Sequence, residues 1–167
     1  MKSLCCAILL LLLPAWHYAQ QAVVHLAYGP FGERGEAIFL VENGRIHQAC
    51  GAFGHRGPCL YVFDDHQAFR SRNAFGSKGD GIYLAEGSQF FRCSGTFCNK
   101  GPCLFLLEGN KIFRGDGPFC NKGDAAFVIE GNVVYLAEGA FARKGDAVLR
   151  VEGDIPMMAL LTILAGM

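Results

Sequence analysis

The residues able to do chemistry in this chain stand in columns. Arg34, Arg56, Lys78, Lys100, Lys122 and Lys144 recur every 22 residues, and so do Glu42, Asp64, Glu86, Glu108, Glu130 and Glu152. Arg70, Arg92 and Arg114 form a third, shorter column, where other repeats carry Leu26, Gln48 and Leu136. The six cations suit a collar for anionic head groups. They equally suit solvated turns with local pairing, because Glu36, Asp80, Asp124 and Asp146 each follow a collar cation by two positions. The three arginines suit a phosphate or carboxylate, which guanidinium grips through forked hydrogen bonds; they also suit an exposed face that needs solubility. All nine are candidate ligand-binding residues. The cation column falls before each strand and the carboxylate column at each hairpin tip, so the two are expected at opposite poles.

Other chemistry is weakly signalled. His25 and His47 share a column, while His55 and His66 lie elsewhere, and no His-x3-His or Cys-x2-Cys pair offers zinc ligands. Cys93, Cys98 and Cys103 are irregularly placed for a metal. There is no phosphate-cradling glycine loop between strand and helix and no Gly-x-Ser-x-Gly elbow. No cofactor, metal site or catalytic residue is assigned. The sharpest break in the repeat is Asp64-Asp65-His66.

These columns need a scaffold that repeats. Phe31, Phe53, Phe75, Phe97, Phe119 and Phe141 keep the same 22-residue clock, which marks one supersecondary unit used over and over. Each unit holds two apolar runs separated by a turn dipeptide: Asn43-Gly44, Asp65-His66, Gly87-Ser88, Gly109-Asn110 and Gly131-Asn132, with Gly153-Asp154 in the same slot. Such pairs favour the positive φ of two-residue hairpin turns, so each unit is a β-hairpin with strands of about six residues. At the tips, Glu42 faces Arg45 and Glu108 faces Lys111. A glycine follows each repeat Phe by four positions, and another precedes most of them by two, which points to tight or left-handed backbone there. The Phe between them is expected to wedge beneath the hairpins as core.

The chain begins and ends on half-repeats. Residues 23–31 match 133–141 in character, so residues 22–28 form a second strand without a first; Asp146 to Glu152 form a first strand without a second. Their pairing would close six hairpins into a ring of twelve strands with no free edge. The tail from Ile155 to Met167 carries no charge. Asp154 is placed to cap a helix and Pro156 to occupy its first turn. A helix that is apolar all round is a buried helix, and a twelve-stranded barrel is wider than the ~8 strands whose side chains fill their own interior. The tail is therefore expected to thread the barrel. The competing reading makes it the second strand of the sixth hairpin, with residues 22–28 left as an edge.

Residues 1–19 read as a secretory signal: Lys2, an apolar run from Leu4 to Leu13, and cleavage after Ala19, although His17 is a poor residue three positions before the cut. The run is short of the ~20 residues of a membrane span. The expected organisation is thus a signal peptide at 1–19, a six-fold repeat domain at 20–154 and an apolar helix at 155–167. The expected location is periplasmic, secreted or cell-surface. The six mature cysteines, Cys50, Cys59, Cys93, Cys98, Cys103 and Cys120, fit either disulfides or small buried hydrophobes. Net charge is zero, so nothing here would hold nucleic acid, while low charge points to a partner, a surface or a ligand.

Glycine-turned hairpins on a 22-residue clock resemble the bacterial β-flower proteins, whose petals are hairpins about an axis. In plan, a twelve-stranded barrel around a C-terminal apolar helix is similar to the tubby-like and phospholipid-scramblase barrels. The resemblance covers residues 22–154 for the first and architecture alone for the second. It implies association with lipid or a membrane interface, and it carries over no functional residue. The leading expectation is an exported non-enzymatic β-repeat protein, structural or binding a hydrophobic ligand or membrane surface. The alternatives are a small exported hydrolase at one pole, tested by Asp65 and His66, or a fibre subunit, which half-repeat closure and the lack of Gln/Asn ladders disfavour.

Overall fold

A computed structural model describes residues 21–51, 53–139 and 141–167. The signal-peptide reading falls on residues outside that range. The chain forms twelve strands: β1 (Gln21–Tyr28), β2 (Glu33–Glu42), β3 (Arg45–Cys50), β4 (His55–Phe63), β5 (Gln67–Ser71), β6 (Lys78–Glu86), β7 (Gln89–Ser94), β8 (Asn99–Glu108), β9 (Lys111–Asp116), β10 (Asn121–Glu130), β11 (Val133–Glu138) and β12 (Arg143–Gly153). A single helix, α1 (Met157–Gly166), follows. Each strand pairs antiparallel with its sequence neighbours, and β1 pairs with β12, so the sheet is a closed barrel. The half-repeats meet in register, with Val24 opposite Val151 and Leu26 opposite Leu149.

The hairpin tips form as their sequences dictate. Asn43 and Gly44 both have positive φ, 49° and 71°, the conformation of a two-residue turn that matches strand twist. At Asp65-His66 no glycine is present, and a longer turn forms instead. Asp64 Oδ1 there accepts the backbone N–H groups of His66 (3.1 Å) and Gln67 (2.8 Å), an Asp-capped turn.

The first strands of the hairpins are longer than expected, nine to eleven residues. They run on through the linker glycine by way of a β-bulge that recurs in every repeat, as between Phe69 and Ser71 against β6. At Gly79 an added Cβ would lie 2.6 Å from the Arg70 carbonyl oxygen. Close backbone approach within the bulge, and not a left-handed conformation, is what requires glycine in that column. The bulge frees an N–H that the adjacent turn accepts: Gly81 N–H donates to Gly95 O at 3.1 Å, and Ala147 N–H to Gly29 O at 3.1 Å. Cys59 N–H likewise donates to Ala74 O at 3.1 Å, so these three turns are tied to the neighbouring hairpin by a backbone bond that would otherwise go unmade.

The tail threads the barrel. Met158 through Leu164 are all buried, and they share one cluster with inward residues such as Val24, Ile46, Ala68, Phe90, Ile112 and Val134. Aromatic rings fill the space on one side: Tyr83 to Phe90 at 5.2 Å, Phe90 to Phe105 and Phe105 to Phe127 at 6.1 Å. Thr162, the polar residue on the buried stretch, donates its hydroxyl to Met158 O at 2.7 Å, which removes the cost of an unpaired group. The start of the helix differs from expectation. Pro156 stands at the N-cap and no side chain caps the helix, so Asp154 does not.

Candidate functional site

The two ends of the barrel differ. The hairpin tips crowd one end. At the other, six turns join β1–β2, β3–β4, β5–β6, β7–β8, β9–β10 and β11–β12, and each carries one repeat phenylalanine. Phe31, Phe53, Phe75, Phe97, Phe119 and Phe141 are 83–88% exposed. The expectation that they wedge beneath the hairpins is corrected: they form a crown of apolar rings in solvent. The residue after each Phe does the packing instead. Cys98, Cys120 and Ala142 adopt positive φ and are buried against the outer wall. Adjacent turn residues point opposite ways, and the interior these rings would have filled is taken by α1.

The charge columns do not separate into poles, and this is a second correction. Arg34 pairs with Glu152 (2.9 Å), Arg56 with Glu42 (3.2 Å), Lys78 with Asp64 (3.3 Å), Lys100 with Glu86 (2.5 Å), Lys122 with Glu108 (2.5 Å) and Lys144 with Glu130 (2.8 Å). Strand tilt in a barrel carries distant rows alongside one another. Each lysine reaches its carboxylate by lying over an aromatic ring: Phe69, Phe91, Phe113 and Tyr135, at 3.9–4.6 Å from the centroid. Cation–π attraction and a shielded apolar ring reward that path. The collar is thus engaged on the wall and is not a free cationic surface. Asp64 belongs to this belt. Burial alone would raise its carboxyl pKa, but the His66 and Gln67 N–H groups and Lys78 hold it below the usual value.

Two repeats replace the aromatic ring with histidine. His25 and His47 are almost fully buried. Each Nδ1 lies 3.3 or 3.2 Å from a carbonyl oxygen, of Gly35 or Gly57, and therefore carries the proton. Each Nε2 is buried without a hydrogen bond, facing Glu152 at 3.4 Å or Glu42 at 3.9 Å. Burial pushes the His47 pKa down, aided by Arg56 and Arg45 and opposed by the Gly57 hydrogen bond and Glu42.

The three-arginine column lies elsewhere. Arg70, Arg92 and Arg114 stand directly opposite Tyr61, Tyr83 and Phe105. Opposed residues share a face of the sheet, and Tyr83 and Phe105 belong to the core around α1. The arginines therefore project inward, at the mouth encircled by the crown, and all three are exposed. Tyr83 Oη donates to Ala165 O at 3.3 Å, which sets the last turn of α1 at the same level. Burial raises the Tyr83 pKa, as does Tyr61; Arg92 and Arg70 pull it back.

The cysteines divide. Cys93–Cys98 and Cys103–Cys120 are disulfides, whereas Cys59 is a buried thiol and Cys50 an exposed one. Among the described residues no group of His, Cys, Asp or Glu is arranged to hold a metal ion, and no helix is long and apolar enough to cross a membrane. Neither a known family, nor a curated protein, nor a solved structure matches this chain.

Proposed function

We propose that this protein is an exported, non-enzymatic barrel that docks on a membrane surface through its phenylalanine crown. The observation that carries this reading is the exposure of all six repeat phenylalanines at one end of a closed barrel. A soluble surface does not ordinarily spend its largest apolar side chains that way. The spacing favours lipid over a folded partner. Twelve strands about 4.8 Å apart and tilted about 40° make a barrel about 24 Å across. Six rings around such a perimeter do not touch one another to form a patch. They suit a soft medium into which each ring sinks separately, as interfacial aromatics do. Each fully buried ring contributes about 1.5–3 kcal/mol, so all six together, about 9–18 kcal/mol, are on the scale of the cost of association, about 4–15 kcal/mol.

The wall supports docking rather than spanning. A membrane-spanning barrel shows lipid a band of apolar residues about 25 Å tall, but this wall carries the six ion pairs. Two disulfides favour an oxidising, exported location.

Co-sedimentation with phosphatidylcholine vesicles tests the reading. The native protein should pellet, and the F97S/F119S/F141S variant should bind at least about 1000-fold more weakly, each ring counting for at least about 1.5 kcal/mol. Equal binding by the variant, or no binding by the native protein, would sink it. A dimer in gel filtration that the variant abolishes would assign the crown to self-association.

A further inference from the structure

The mouth inside the crown is chemically two-sided. Arg70, Arg92 and Arg114 occupy three consecutive hairpins on one side. The same row continues on the other side as Leu136, 45% exposed, and Leu26. No ion pair joins any of the three arginines to a carboxylate among the described residues, although the six collar cations all have one. The chain thus neutralises every cation of its six-fold belt and leaves three inward guanidinium groups unneutralised at one rim. The C-terminal end of α1 explains why they can stay there: Ala165 O lies at the level of Tyr83, and the negative end of a helix dipole favours nearby cations. Arg70 and Arg72 also line an open groove of about 440 Å³ that runs over Gly79, Gly81 and Ile82. Asp80 lies in that groove, and no ion pair among the described residues joins it to either arginine.

We propose that Arg70, Arg92 and Arg114 form an anion site in the barrel mouth that takes the phosphate of an acidic lipid head group, with Leu26 and Leu136 facing the apolar part of the same molecule. Guanidinium is suited to phosphate because its planar fork donates two parallel hydrogen bonds. A free phosphate offers the same oxygens. The lipid is favoured because the crown would hold the mouth against the head-group layer, and because the opposite side of the mouth is apolar. The assignment to lipid therefore rests on the docking reading, while the anion site itself does not.

The test compares vesicles of phosphatidylcholine with vesicles of phosphatidylcholine mixed with phosphatidylglycerol, alongside thermal unfolding in the presence of pyrophosphate. The native protein should prefer the acidic vesicles, and the R70Q/R92Q/R114Q variant should lose about 100-fold of that preference, a basic residue at an anionic surface being worth about a factor of five. Glutamine keeps a polar side chain at three exposed positions, and unchanged unfolding in buffer would show the fold intact. Should that variant misfold, Gln48→Arg extends the same row by one repeat and should raise the preference about five-fold. A preference that survives loss of the arginines, or does not rise with Gln48→Arg, overturns the site. Equal binding to both vesicles overturns the site and leaves crown docking standing. Binding to neither vesicle, with pyrophosphate stabilising the native protein but not the variant, keeps the anion site and overturns its assignment to lipid together with the docking reading. No response to vesicles or pyrophosphate overturns both.

Discussion

Glu152, at the end of the last strand, meets Arg34, near the start of the second, at 2.9 Å. The other five pairs of the belt join residues much closer in the chain; those made by lysine span fourteen positions. Glu152 takes the place that the clock would give residue 20, so the final half-repeat supplies the carboxylate missing from the first. Backbone pairing of β1 with β12 and this ion pair close the same seam.

The helix is the core of the barrel, and its removal should be fatal to the fold. A chain ending at Asp154 is expected to lose its cooperative thermal transition, followed by circular dichroism. A single Leu161→Ala change, at a position 3% exposed, should cost about 2–5 kcal/mol in denaturant unfolding. A truncated ring that melts as the full chain does would show that the strands close without α1.

The crown phenylalanines should be dispensable for stability. Phe97, 88% exposed, has little contact to lose. Phe97→Ser is expected to change the unfolding free energy by less than about 0.5 kcal/mol. A loss of about 2 kcal/mol or more in urea titration would put the ring back in the core.

His47 should make stability depend on pH. Its folded pKa is depressed below 6.5, so the unfolded chain binds the proton more readily. The contribution is therefore complete above pH 6.5 and is lost as pH falls from there through the lower folded value. His47→Phe installs the ring found at Phe69, Phe91 and Phe113 in the same column. It should flatten the dependence of the unfolding midpoint on pH over that window. An unchanged slope would mean that His47 does not titrate with folding.

The two disulfides should differ in weight. Cys103–Cys120 closes a loop of 17 residues and Cys93–Cys98 one of five. Loop entropy grows with loop length, so C103S/C120S should cost about 2–4 kcal/mol and C93S/C98S less. Thiol labelling provides a second check. Cys50 should react in the native state, and buried Cys59 only after unfolding.

How much of this was legible before folding depends on the range of the interaction. Local chemistry was readable: Asn43-Gly44 makes the turn that its φ preference predicts, and the uncharged tail buries itself as its composition demands. The half-repeat match between residues 23–31 and 133–141 announced the closure that β1 and β12 complete. The turn at Asp65-His66 was less clear, because its stability comes from the Asp64 side chain and not from the dipeptide itself.

The sequence by itself determined the number of strands, their closed order and the residue types of each column, because a 22-residue period and turn-forming dipeptides act over a few bonds. Tertiary structure decided where the columns point and what they meet. Phe31 and its five equivalents lie between residues of special backbone conformation, and a turn can face either way; the helix filling the interior sent them outward. Lysine met glutamate across two strands because barrel tilt aligns rows that the linear order keeps apart. The same geometry turned Arg70, Arg92 and Arg114 into the mouth, where the end of α1 and the ring of phenylalanines surround them.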